Sequence, residues 1–121
     1  MKYFHGCDNP KALFDAIAKN KRGEHGLKGE FHVAPKKSVA ANYGKYLISF
    51  VMAADVAGAH VGLINKDGNA NALVGNEVEV VMKSEAARAD FAEKVVAAEV
   101  ICPDGRVAEM DVNSGAIVCV R

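Results

Sequence analysis

From residue 46 onward the chain carries six short apolar runs and one stretch of helical periodicity. The runs are Tyr46–Ala53, His60–Ile64, Ala72–Met82, Val100–Cys102, Arg106–Ala108 and Ala116–Val120. Branched side chains such as valine pack well on a pleated surface and lose rotamer freedom in a helix, so each run predicts a strand. Lys2–His5 and Gly29–Ala34 predict two more. Strands outnumber helices and do not alternate regularly with them. That pattern specifies an α+β fold rather than a doubly wound sheet.

Helix boundaries are marked in the usual way. Asp8 or Asn9 offers a capping oxygen, and Pro10 suits the first helical position. Leu13, Ala16 and Ile17 share a face. Lys19, Lys21 and Arg22 complement the helix dipole at its end, and Gly23 can stop it. Pro35 opens a short helical turn, "KKSVAANYG", that Gly44 can close. Ser84 caps a helix expected over 85–98, with Ala87, Phe91 and Val95 on one face and Asp90 paired with Lys94 on another. "NKDGN" and "PDG" predict turns, the second of them a hairpin.

The 121 residues fit one domain, 1–121, large enough for a single core. Charge is balanced overall but not along the chain. Residues 1–46 carry nine Lys/Arg against four Asp/Glu, and 47–121 carry six against eleven, a net of +5 and then −5. An anionic ligand is drawn to the first part, unless the lysines are only a solvated surface. Cys7, Cys102 and Cys119 are odd in number and lack metal spacing, so no disulfide framework and no zinc site is expected. They read as small buried residues in a reducing compartment. No signal peptide is visible at the N-terminus, although an effector exported without a cleaved signal would look the same. Leu47–Leu63 is too short and too interrupted by Asp55, Gly58, His60 and Gly62 to span a membrane.

Three fragments put polar residues at the ends or edges of apolar strands, where sites are usually built. They are His5-Gly6, "GEFHVAPKKSVAANYG" at 29–44, and "GNEVEVVM" at 75–82. In this order they resemble the ADP-ribosyltransferase superfamily, in the branch that holds diphtheria toxin and the poly(ADP-ribose) polymerases. That branch has a histidine-glycine pair on its first strand and a glycine-x-Tyr-Phe-Ala second strand. A short helix ending in Ser-Ala-Asn-Tyr follows, and then Asn-Glu opening a late strand. Here these are His5-Gly6, "GEFHVA", "AANY" ending at Tyr43, and "NEVEVV" starting at Asn76. The likeness spans residues 3–82.

The resemblance implies a split mixed β-sheet with a few short helices. It implies NAD as co-substrate, no metal, and transfer of ADP-ribose to a protein, nucleic acid or small acceptor. If the acceptor is water, the protein is an NAD glycohydrolase. Breaking the nicotinamide–ribose bond develops positive charge on the ribose, which a placed carboxylate stabilises. By the resemblance that carboxylate is Glu77. His5 holds a ribose hydroxyl, the backbone of Gly6 clasps the nicotinamide amide, and Tyr43 stacks on the ring. The small size suits a bacterial toxin or effector domain acting in the cytoplasm, or a phage-borne modifier, with an immunity protein among the expected partners and no membrane.

Two positions depart from the pattern. Phe31 stands where the branch has its second-strand tyrosine, which keeps stacking and loses a hydroxyl; stretching the alignment by one residue puts His32 there. Cys7 replaces the usual Ser or Thr after His-Gly, a weaker hydrogen-bonding group. Glu79 rivals Glu77, since side chains two apart on a strand share a face. Glu-x-Glu also marks the arginine-modifying branch, whose first-strand arginine and Ser-Thr-Ser are missing here. The expectation is therefore Glu77. Taken singly, His32 and His60 read as structural residues on apolar strands. A different class, a binding module that kept the fold and lost the chemistry, draws on Phe31 and Cys7. A nucleic-acid binder using the basic first part lacks interleaved aromatics.

Overall fold

The structure, a computed structural model, describes residues 1–64 and 77–121. Among them, in chain order, are β1 (Lys2–Cys7), α1 (Pro10–Lys21), β2 (Phe31–Val33), α2 (Lys37–Ala40) running into a 3₁₀ turn (Ala41–Tyr43), β3 (Tyr46–Met52), β4 (His60–Ile64), β5 (Glu77–Met82), α3 (Glu85–Lys94), β6 (Val95–Ile101), β7 (Val107–Met110) and β8 (Ile117–Val120). The expected turn at "NKDGN" and the Ala72–Asn76 part of the expected long strand lie outside the described residues. The fold is α+β.

Two sheets carry the strands, and every described strand pair is antiparallel where the resemblance implied a mixed sheet. The larger runs β1-β3-β6-β7-β8 and the smaller β2-β5-β4. They meet where Phe4 of β1 bridges Ala34 just past β2, with N–H to carbonyl distances of 2.8 and 2.9 Å. The two strands come together at this point, and the polar residues beyond it line the cleft described below.

The core is apolar and spans both sheets. Phe50 and Ile48 of β3, Phe31 and Val33 of β2, and Val80 and Met82 of β5 pack with Phe14 and Ile17 of α1 and Phe91 of α3. Phe91 stands edge-on to Phe50 at 5.1 Å and to Phe31 at 5.0 Å, the offset geometry that ring quadrupoles favour. Helices α1 and α3 start as their caps dictate. Asn9 Oδ1 accepts from the Ala12 N–H at 3.2 Å, and Ser84 Oγ from the Ala87 N–H at 3.1 Å. Lys21 Nζ donates to the Val95 carbonyl at 2.7 Å, fastening the end of α1 to the start of β6.

Two expectations are corrected here. The helix begun at Ser84 stops at Lys94 rather than at 98, and 95–101 form a strand. Val95 and Val96 resist helix, and β3 pairs the backbone from Val95 on, with β7 joining from Ala98. Cys119 is exposed rather than buried, because β8 is the edge strand of its sheet; Cys7 and Cys102 are half-buried against the core. No helix among the described residues is long and apolar enough to cross a membrane.

Candidate functional site

Strand alternation sorts the residues of the small sheet into two faces. Phe31 and Val33 of β2 sit opposite Met82 and Val80 of β5, and all four enter the core. His32 sits opposite Val81, which also faces His60 of β4, and Glu79 sits opposite Gly62. His32, Val81, Glu79, His60 and Gly62 therefore share the other face. They line a cavity of about 670 Å³ that is closed on its second side by Phe4, His5 and Gly6 of β1 and by Ala40 and Tyr43. Glu30 and Lys83 also line it. Its volume is within the rough 300–1,000 Å³ range of small-molecule sites.

His5 is set by β1 and by its neighbours. Its Nδ1–H donates to the His32 carbonyl at 2.5 Å, and its ring rests 4.7 Å from that of Phe31. Burial lowers its pKa below the ordinary value, against the opposing pull of the His32 carbonyl; the nearby His32 ring lowers it further. A neutral ring with Nδ1–H committed keeps Nε2 as its acceptor.

Gly6 meets the backbone of α2. A Cβ at Gly6 would stand 2.1 Å from the Ala40 carbonyl oxygen, and one at Gly44 would stand 2.4 Å from the Cys7 carbonyl carbon. These two glycines let the end of β1 and the α2 turn approach backbone to backbone. That approach brings Tyr43 to the cavity, with its side chain partly exposed. Its hydroxyl lies 3.5 Å from Glu79 Oε2, and burial raises its pKa above the ordinary value.

Glu79 is the buried carboxylate of the site, 5% exposed. Its Oε1 is paired with His32 Nδ1. A buried carboxylate is costly unless partnered, and the imidazole is the partner here. Glu77 is placed differently. It does not line the cavity, and its Oε2 lies 3.0 Å from Lys36 Nζ, out of line for a hydrogen bond.

Of the residues marked out in the sequence, the structure thus gathers His5, Gly6, Tyr43 and Glu79 around one cavity. It leaves Glu77 beside it. Phe31 is not open to stacking on a ligand: its ring lies in the core against Phe91 and supports His5 from beneath. His32 and His60, read from sequence as structural, line the cavity instead. The signal that could have found His32 is the period of two, which puts it opposite to Phe31 and Val33. Among the described residues no cluster of His, Cys, Asp and Glu could hold a metal ion. No protein-family model, curated protein or solved structure matches the chain, so the chemistry of this cleft rests on its own residues.

Proposed function

We propose that the protein is an NAD-dependent ADP-ribosyltransferase with an ADP-ribosyltransferase-like fold. It binds NAD in the cleft, breaks the nicotinamide–ribose bond and passes ADP-ribose to an acceptor. One observation carries this reading. His5-Gly6, Tyr43 and a late-strand glutamate, distant in sequence, line one cavity of small-molecule size. Two antiparallel sheets meeting at the Phe4–Ala34 bridge are compatible with the split sheet that the reading requires.

This reading gives each of these residues a role. Neutral His5 accepts a ribose hydroxyl through Nε2. Gly6 offers its backbone to the nicotinamide amide, and Tyr43 gives its ring face to nicotinamide. Glu79 takes the part that sequence assigned to Glu77. A carboxylate already desolvated by the surrounding protein needs little reorganisation when positive charge develops on the ribose, which makes preorganised electrostatics effective.

The test uses NAD labelled in its adenylate part, incubated with the protein and a cell lysate. Nicotinamide release with label on a macromolecule supports a transferase. Release with label only in free ADP-ribose means that water is the acceptor and the protein is an NAD glycohydrolase. NAD binding without release leaves a binding module, and no binding at all overturns the reading.

A further inference from the structure

The cavity continues past Glu79 to β4, where His60 and Gly62 line its far end. Gly62 lies opposite Glu79 in the strand register, and a Cβ built there meets none of the described residues within 4 Å. On that side of Glu79 the neighbouring strand position therefore carries no side chain. Across Glu79 from Gly62, on β2, stands His32, whose Nδ1 is paired with the Glu79 carboxylate. The carboxylate side chain is 6% exposed and the imidazole 41%. A buried carboxylate that holds Nδ1–H fixes the tautomer, orients the ring and stabilises it when it gains a proton. Nε2 is then the basic nitrogen of the pair.

We infer that His32, held by Glu79, is the general base for a hydroxyl nucleophile that enters the cavity over Gly62 and reaches across Glu79. This rests on the reading of the cleft as an NAD site. A guanidinium acceptor would want a carboxylate with both oxygens available. Glu79 Oε1 is taken by His32, Oε2 faces Tyr43, and Glu77 is outside the cavity next to Lys36. A hydroxyl needs instead a base to remove its proton, and the cleft has one. The hydroxyl oxygen bonds to ribose C1′ as the bond from C1′ to the nicotinamide nitrogen breaks. The bonding pair leaves with neutral nicotinamide, and the hydroxyl proton passes to His32 Nε2 and then to solvent. NAD and an alcohol give an O-ADP-ribosyl product, nicotinamide and one proton, with no change of oxidation state.

The experiment is single-turnover nicotinamide release from NAD in buffer alone, with methanol, and with sodium azide. It compares the parent, His32→Asn and Gly62→Val, with NAD affinity measured alongside. Asparagine keeps an N–H donor for Glu79 but has no base. His32→Asn is expected to bind NAD as the parent does and to lose roughly 10²–10⁴-fold in release with water or methanol, the scale of general-base catalysis. Azide, an anion that needs no deprotonation, is expected to restore release and yield ADP-ribosyl azide. The parent is expected to form O-methyl ADP-ribose with methanol and ADP-ribose with water, which distinguishes alcohol from water as the hydroxyl source. Gly62→Val is expected to keep NAD affinity and lose the methanol product. Parent-like release by His32→Asn, a loss that azide does not rescue, or an unchanged methanol product with Gly62→Val would each overturn the inference while NAD turnover by the parent stands. A parent that neither binds NAD nor releases nicotinamide overturns the NAD reading and this inference with it.

Discussion

The Tyr43 hydroxyl lies 3.5 Å from Glu79 Oε2, and so the end of the 3₁₀ turn meets a buried carboxylate on β5. The ring and the hydroxyl have separable duties. If the ring stacks on nicotinamide, Tyr43→Ala loses an aromatic contact worth about 0.5–1.5 kcal/mol beyond burial. Calorimetric titration should then show NAD binding several-fold weaker. Tyr43→Phe keeps the ring and should keep most of the affinity. Equal affinity for Tyr43→Ala and the parent would remove Tyr43 from the site.

The cavity lining separates the two glutamates. Glu79 faces the cavity, whereas Glu77 sits beside it with Lys36. Glu79→Gln keeps size and hydrogen bonding but loses the charge. Nicotinamide release should fall by a factor on the order of 10²–10³, the scale of a single electrostatic stabiliser. NAD affinity should change little, because only an interaction stronger in the transition state speeds the step. Glu77→Gln should cost far less. The opposite ranking in single-turnover release would return the charge-stabilising role to Glu77.

This ranking could not be read from the sequence. Glu77 and Glu79 share a face by strand period, and the spacing alone does not say which one the cavity reaches. That depends on β5 pairing β2 only through Val80–Met82, so that Glu79 emerges just past the paired segment beside the Phe4–Ala34 bridge. Register of this kind is tertiary. The apolar runs and caps were legible because they are local: Asn9, Pro10 and Ser84 act within a turn of their own helix. Val95 was not, because its choice of strand over helix is made by its pairing with Met52 of β3. His32 lay between the two outcomes. Its face followed from alternation, but nothing local indicated that a glutamate would meet it there.

The Gly6 requirement is steric before it is chemical. A Cβ there would stand 2.1 Å from the Ala40 carbonyl oxygen, far inside contact distance, and the obstacle is backbone. Gly6→Ala should therefore push β1 away from α2. Overpacking of this kind costs about 1–3 kcal/mol, and thermal denaturation should show a midpoint lower by several degrees. Gly44→Ala, whose Cβ would meet the Cys7 backbone at 2.4 Å, should behave alike. A Gly6→Ala protein that melts with the parent would show that the two segments have room to separate.

His5 should make stability depend on pH, and the sign follows from its burial. Its folded pKa lies below the ordinary 6.5, chiefly because burial disfavours the charged ring. Between the folded value and 6.5 the unfolded chain binds more protons than the folded one, so stability rises with pH there. The contribution is fully present above 6.5 and is lost as pH falls through the folded pKa. Carboxylates also titrate on the acid side, so the parent alone would not isolate it. His5→Asn supplies the control, since its amide can still donate to the His32 carbonyl but does not titrate. Melting temperatures of both proteins, measured in steps downward from pH 8, should run parallel above 6.5. Below it the parent should fall more steeply. Parallel curves throughout would mean that His5 takes up its proton in the folded protein as easily as in the unfolded chain, and that Nε2 is not held neutral for a ribose hydroxyl.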